Sequence, residues 1–214
     1  MKFIEIDQFC KTIKKHTVLD RVNLSVEKGE IVGIVGYNGS GKTMLLRAIG
    51  GLIYPDSGTL RINGELMGKD ISFPPSVGMI IENVGLWPYL NGMENLRMLA
   101  KIKNIIGNRE IVDTIRRVGL DPEDKRHYRK YSLGMKQRLV IAQAIMESPD
   151  LLLLDEPTNA LDEGGVAEVR SLIAEERARG ATVILASHNR DDIEQLCDRV
   201  YTMRAGTLSE REDG

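Results

Sequence analysis

The sequence predicts an α/β fold: a parallel-sheet core, an antiparallel β subdomain and a helical subdomain. Three observations predict it. Ile31-Val32-Gly33-Ile34-Val35, Leu151-Leu152-Leu153-Leu154 and Thr182-Val183-Ile184-Leu185-Ala186 are short apolar runs of the kind buried on both faces of a parallel sheet. The opening third alternates in polarity and carries Asn63-Gly64 between two strand-like stretches, a type I′ hairpin signal. Between the first apolar run and the second lies a long stretch with helical, not strand, periodicity.

Taken in order, Ile4-Glu5-Ile6 and Val22-Asn23-Leu24-Ser25-Val26 read as strands, and Lys28-Gly29 as the turn into the central strand. Met44 to Ile49 reads as a helix closed by Gly50-Gly51. Thr59–Ile62 and Glu65–Met67 flank the hairpin turn, and Val77–Ile81 is a further strand ending at Glu82. Beyond Trp87-Pro88, Asn91-Gly92-Met93-Glu94 has the form of a capping box, with Leu96, Leu99 and Lys103 predicted along one face of the helix it starts. A second helix is predicted from Arg109 to Val118, with Ile111, Ile115 and Val118 inward and Gly119 as the stop. Residues 88 to 148 are therefore expected as a helical insertion within one domain spanning 1–214. Val166 to Arg179 reads as an amphipathic helix between two buried strands.

Composition narrows the function classes. The 214 residues are 42% hydrophobic and 28% charged, as in ordinary globular domains. With 29 basic against 31 acidic residues and a net charge of −2, there is no general attraction to nucleic acid or anionic lipid. Cys10 and Cys197 stand far apart, in no metal-ligand or redox spacing. No run approaches the roughly 18 apolar residues needed to cross a bilayer, so a membrane role has to come through a partner.

The strongest chemical signal is Gly36-Tyr37-Asn38-Gly39-Ser40-Gly41-Lys42-Thr43, a G-x-x-x-x-G-K-[ST] loop between an apolar strand and a helix. In that setting backbone N–H groups and a helix N-terminus surround a polyphosphate. Lys42 is placed to reach β/γ oxygens, and Thr43 offers a hydroxyl to Mg²⁺. The ligand predicted is a nucleoside triphosphate. A second signal is the strand 151–154 delivering Asp155 and Glu156 at its C-terminal end, the edge of a parallel sheet where ligands bind. Asp155 is expected to hold Mg²⁺ and Glu156 to take a proton from attacking water. Between the two lies Tyr131-Ser132-Leu133-Gly134-Met135-Lys136-Gln137-Arg138, leading into Leu139, Ala142, Ile145 and Met146 at helical spacing. Taken alone it reads as an ordinary N-cap.

Together, the glycine loop, this segment, Asp155-Glu156-Pro157-Thr158, Ala160-Leu161-Asp162 and Ser187-His188 stand in the order found in the ATP-binding cassette family. From the strands before Gly36 to Gly206-Thr207-Leu208 the chain resembles the nucleotide-binding subunit of an ABC transporter. It is similar in flavour to bacterial export ATPases of the bacitracin-resistance and lantibiotic-immunity kind, which share Ser-Leu-Gly-Met-Lys-Gln-Arg. The resemblance implies a P-loop NTPase core, ATP and Mg²⁺ as cofactors, and a head-to-tail homodimer or a heterodimer with a related ATP-binding subunit.

Each site would then use Gly36, Asn38, Gly39, Ser40, Gly41, Lys42, Thr43 and Met44, with Asp155, Glu156 and His188, from one copy. Ser132, Leu133, Gly134 and Met135 would come from the other copy, and Asp162 would lie in a loop between the two sites. His188 would contact the γ-phosphate and orient Glu156. The implied partners are integral membrane transporter subunits, reached through Glu82 to Tyr89 at the cytoplasmic face, and no nucleic acid.

Three positions depart from the family pattern. The usual Leu-Ser-Gly-Gly-Gln is Tyr131-Ser132-Leu133-Gly134-Met135, which keeps the serine and the second glycine. Glu82 replaces a common glutamine, and is expected to remain a Mg²⁺ ligand. Ile13 stands where an aromatic residue usually stacks on adenine, which loses the π contact and leaves room for GTP. Two other readings stay open on sequence: a soluble ABC ATPase acting on DNA or the ribosome, and a kinase carrying a phosphate loop.

Overall fold

The computed structural model describes residues 2–81 and 85–211. Two sheets organise it. The first is antiparallel, in the order β2-β1-β4-β5, built from β1 (Lys2–Ile13), β2 (His16–Glu27), β4 (Ser57–Ile62) and β5 (Glu65–Leu66). The second, in the order β10-β9-β3-β8-β7-β6, contains β3 (Ile31–Val35), β6 (Val77–Ile80), β7 (Leu151–Asp155), β8 (Thr182–Ala186), β9 (Arg199–Arg204) and β10 (Thr207–Glu210). From β9 to β6 neighbouring strands run parallel, and β10 closes the edge antiparallel to β9.

The parallel sheet divides the interior in two, and strand periodicity explains how. Side chains alternate faces, so Leu152 and Leu154 join the core beneath the helices, whereas Leu151 and Leu153 join the core shared with the antiparallel sheet. β8 repeats the division, with Val183 and Leu185 on one side and Ile184 and Ala186 on the other. All these residues are at most 3% exposed, which is why the strands read as unbroken apolar runs instead of alternating ones.

The antiparallel hairpin is longer than the sequence predicts. Strands expected at 4–6 and 22–26 extend to a turn at Lys14 and Lys15, both left-handed with φ of 48° and 69°. A two-residue turn of this hand matches strand twist, and Asn or Gly usually supplies it. Two lysines gave no such signal. Asn63 (φ 50°) and Gly64 (φ 85°) do form the predicted tight turn between β4 and β5.

Between β6 and β7 run α2 (Gly92–Lys103), α3 (Asn108–Arg117) and α4 (Leu133–Ile145). The capping box at α2 is present: Asn91 Oδ1 accepts from Glu94 N at 2.9 Å, and Asn91 N donates to Glu94 Oε2 at 2.8 Å. Met93, Leu96 and Ala100 are buried and Leu99 packs half-buried against the same core, while Lys103, at the end of the predicted face, does not join it. An ammonium group has to stay hydrated, and Lys103 lies exposed, pairing with Glu147 at 3.4 Å. In α3, Ile111, Ile115 and Val118 do pack inward, and Gly119 follows in a left-handed conformation.

The remaining helices are α1 (Lys42–Ile49), α5 (Glu163–Ala178) and α6 (Arg190–Leu196). α5 begins three residues before the predicted Val166, because the Asp162 carboxylate accepts from Gly165 N at 2.9 Å and caps a first turn that holds two glycines. Cys197 follows α6 and packs where Gly33 leaves space, since a Cβ there would lie 2.7 Å from its sulfur. Burial pushes the Cys197 thiol up to about 12. It therefore stays protonated and serves as a small apolar group.

The contact between β6 and α4 is close enough to test. A Cβ on Gly78 would fall 1.9 Å from the Ala144 carbonyl oxygen. Gly78→Ala is expected to cost about 1–3 kcal/mol through overpacking, seen as a lower urea midpoint at unchanged slope.

Candidate functional site

Strand order builds the site. β8 lies between β3 and β7, so the C-terminal ends of three parallel strands open side by side on one edge. From β3 comes the glycine loop, from β7 the Asp155-Glu156 pair, and from β8 the Ser187-His188 segment. The glycine loop and the acid pair line a cleft of about 1050 Å³, and His188 is joined to it through its hydrogen bond with Glu156.

The loop can follow this path because of its glycines. Gly36 sits so close to β9 that a Cβ would lie 2.4 Å from the Met203 carbonyl oxygen, and Gly41 is left-handed at φ 115°. α1 then starts at Lys42, and the N–H groups of its first turn are left without intrahelical acceptors, facing the cleft. Lys42 is folded onto its own loop, donating to the carbonyls of Gly36 at 2.7 Å and Tyr37 at 3.3 Å. Ser40 Oγ is buried on the cleft wall with no hydrogen-bond partner among the described residues. A buried hydroxyl left this way fits a polar ligand entering the loop.

Asp155 and Glu156 are turned to different tasks by the backbone. Thr43 Oγ1 donates to Asp155 Oδ2 at 2.6 Å, joining the glycine loop to β7. Glu156 is left-handed, with φ of 51°, and its N–H still donates to the Ala186 carbonyl of β8 at 2.8 Å. Such a conformation costs a non-glycine residue about 1–3 kcal/mol. It swings the carboxylate away from Asp155 and towards β8, where Glu156 Oε2 lies 2.7 Å from His188 Nδ1 and accepts from His188 N at 3.3 Å. With the carboxylate ionised, Nδ1 carries the hydrogen and Nε2 is free. The imidazole is 65% exposed while Glu156 is 19% exposed, so the pair presents an open ring and a sheltered base.

The donor set bears on the metal. Thr43 and Asp155 contribute two hard oxygens at one point, and no cluster of three His, Cys, Asp or Glu occurs among the described residues. Mg²⁺ is commonly bound in this way, through one or two protein oxygens with phosphate and water oxygens completing the shell. The third expected ligand, Glu82, lies outside the described residues.

Other predicted residues are placed differently. The loop lines the cleft from Asn38 to Met44, whereas Gly36, packed against Met203, is not among the lining residues. Nor is Ile13. It is half-buried at the end of β1, and β2 instead offers His16, Thr17 and Val18 to the cleft. Sequence reasoning passed over His16 because the turn that aims it was not foreseen. From across the cleft α4 contributes Leu133, Lys136 and Gln137. Ser132 and Gly134 are not among the residues lining this cleft; Ser132 is exposed and caps α4, its Oγ accepting from Met135 N at 3.2 Å, while Gly134 is half-buried, with the Ala160 carbonyl oxygen 3.5 Å from where a Cβ would stand. Asp162 is the cap of α5 described above. Gln137 Nε2 donates to the Pro157 carbonyl at 2.7 Å, joining the helical layer to the residue after Glu156.

Residues 87–91, leading into α2, are also held from within. Asn95, fully buried, accepts from Trp87 N at 2.7 Å and donates to the carbonyls of Trp87 and Asn91 at 3.1 and 2.9 Å. This holds Trp87 and Tyr89 at the surface, 44% and 66% exposed, with the Arg129 guanidinium 5.0 Å from the Tyr89 ring centre.

Comparison with known proteins agrees with this geometry. Residues 19–159 match the ABC transporter family. The chain is 54% identical to the uncharacterized ABC transporter ATP-binding protein YybJ of Bacillus subtilis (strain 168), over 98% of this chain and 96% of that protein. It is 40% identical to the bacitracin transport ATP-binding protein BcrA of Enterococcus faecalis, over 97% of this chain and 68% of that protein. Among solved structures it resembles the dimeric structure of MJ0796, a bacterial ABC transporter cassette, with a TM-score of 0.87 at 25% identity over 99% of both chains. A glycine loop, a strand-end acid pair and a histidine meeting on one sheet edge, in a chain with these relatives, place it in the ABC transporter family as an ATP-binding subunit.

Proposed function

We propose that this chain hydrolyses ATP to drive transport, in the export direction, through separate membrane subunits. The observation that carries the reading is the meeting of two pairs at one cleft: Thr43 with Asp155, and Glu156 with His188. One pair is suited to a metal-bound triphosphate, the other to deprotonating water. BcrA, named for bacitracin transport, supports the transport role.

The chemistry needs little more than positioning and charge. Lys42 leaves the carbonyls of Gly36 and Tyr37 for the stronger acceptor, a phosphate oxygen. N–H groups of the glycine loop and the first turn of α1 take the remaining phosphate oxygens. Thr43 and Asp155 hold Mg²⁺, which when bound neutralises charge on the β and γ oxygens. Glu156 accepts the proton of the attacking water, and His188, hydrogen-bonded through Nδ1, fixes the carboxylate and turns its other ring nitrogen to the γ-phosphate.

Ser132 is exposed at the N-terminus of α4, and neither it nor Gly134 lines the cleft of its own chain. We assign them to the nucleotide of a second ATP-binding subunit, either another copy or a related chain, with Leu133 and Met135 flanking them. ATP then closes the dimer and its hydrolysis opens it, the motion a membrane subunit can use. Asp162, exposed at the start of α5, we assign to the loop that joins the two sites. Trp87 and Tyr89 supply the aromatic surface for the membrane partner, which holds the chain at the cytoplasmic face of the membrane.

Glu156→Gln should leave ATP binding intact and slow hydrolysis by roughly 10²–10⁴-fold, the range for loss of a general base. Light scattering of that variant with saturating ATP and Mg²⁺ is expected to give a dimer; a monomer under those conditions would count against the closure described here. Asp155→Asn should abolish the strengthening of ATP binding by Mg²⁺, measured by calorimetry with and without the metal. Replacing both Trp87 and Tyr89 by Ala should release the chain from native membranes at unchanged thermal stability, and retention would move the docking surface elsewhere.

A further inference from the structure

One buried carboxylate plays no part in the chemistry above. Asp192 lies in the first turn of α6, fully buried, and three side chains converge on it. Thr158 Oγ1 donates to Oδ2 at 2.7 Å, and Ser187 Oγ approaches the same oxygen at 3.2 Å. Arg170 Nε, from α5, donates to Oδ1 at 2.7 Å. Ser187 Oγ in turn accepts from Asn189 N at 3.0 Å. Thr158 and Ser187 are themselves 6% and 0% exposed.

Their places in the chain give the network its meaning. Thr158 stands two residues after Glu156, and Ser187 one residue before His188. The hydrogen bond from Glu156 N to Ala186 O carries the strand pairing just past the end of β7. Beyond it both segments leave the sheet as loops, and the Asp192 carboxylate grips one on each side. A buried charge is poor evidence for stability, because well-packed apolar groups of similar volume serve as well or better. What a hydrogen-bonded carboxylate adds is direction. Both gripped hydroxyls meet a single oxygen, so the spacing of the two loops is fixed by hydrogen-bond lengths.

We propose that Asp192 is a positioning residue: by clamping Thr158 to Ser187 it sets the contact between the Glu156 carboxylate and His188 Nδ1. Arg170, bonded to the other carboxylate oxygen, orients the clamp from behind. The catalytic consequence rests on the reading of Glu156 as the base, whereas the geometric one does not.

The test uses the full chain with Thr158→Val, which keeps shape and removes the hydroxyl, Thr158→Ser, which restores it, and Asp192→Asn. The first readout is the ring ¹⁵N spectrum of His188, with His16 and His127, the other two histidines, as internal controls. Thr158→Val and Asp192→Asn should move the His188 nitrogens away from the Nδ1–H form and leave the controls in place, and Thr158→Ser should restore the wild-type signal. In ATP hydrolysis, the same two variants should lose roughly 10²-fold in kcat, the penalty of a misplacement near 1 Å, at unchanged ATP affinity. Thr158→Val alone keeps the clamp falsifiable if Asp192→Asn fails to fold. A folded Thr158→Val chain with wild-type His188 signals would overturn the clamp, as would a loss of kcat matched by an equal loss of ATP affinity. If the wild-type chain hydrolyses no ATP while His188 still responds to these substitutions, the clamp stands and the assignment of Glu156 as base falls.

Discussion

The site depends on one constraint of topology: β8 is inserted between β3 and β7. These three strands meet in parallel register, Ile34 beside Ala186 and Ala186 beside Asp155. Their ends are therefore level, and the loops that follow them have no choice but to converge. Swap β8 to an edge and the histidine would lie beyond reach of Glu156. The register survives because the strands are buried on both faces. A slip by one residue would move Leu152 and Leu154 into the wrong core.

Polar hydrogen bonds then refine what packing has placed. Thr43 ties the phosphate loop to β7, Glu156 ties β7 to the loop after β8, and Asp192 ties both loops to α6. All but the bond from Ser187 to Asp192 join residues more than thirty positions apart, between elements that packing has already brought together. The individual bonds are worth little net stability, about 1 kcal/mol for a typical neutral pair. Their value lies in angle and reach, where a displacement too small to unfold the chain is large enough to spoil a reaction.

Legibility in the sequence followed the strength of local physics. Buried parallel strands, the glycine loop, the Asn63-Gly64 turn and the capping box at Asn91 are each dictated by neighbouring residues, and each was readable from them. The Lys14-Lys15 turn was not, since long-range pairing of β1 with β2 and β4 overrides a poor turn sequence. Of the face predicted in α2, Leu96 and Leu99 meet the core and Lys103 runs past it, because spacing alone cannot say where a helix leaves its neighbours. The network around Asp192 was hidden for another reason. In the run Asn189-Arg190-Asp191-Asp192 every residue looks made for solvent, and only the fold shows that one of the two acids is fully buried. His16 gave no signal for the same reason, since only the long-range hairpin brings it to the cleft.

The hydrogen bond from Gln137 to the Pro157 carbonyl joins α4 to the loop after β7, two elements packed on the same core. It acts as a strut. When α4 tilts, that carbonyl is drawn along, and the residue immediately before it is Glu156. Orientation of the helical layer and readiness of the carboxylate thus form a single mechanical variable, so a neighbour that pushes on the helices adjusts the throttle of the reaction without touching the fuel.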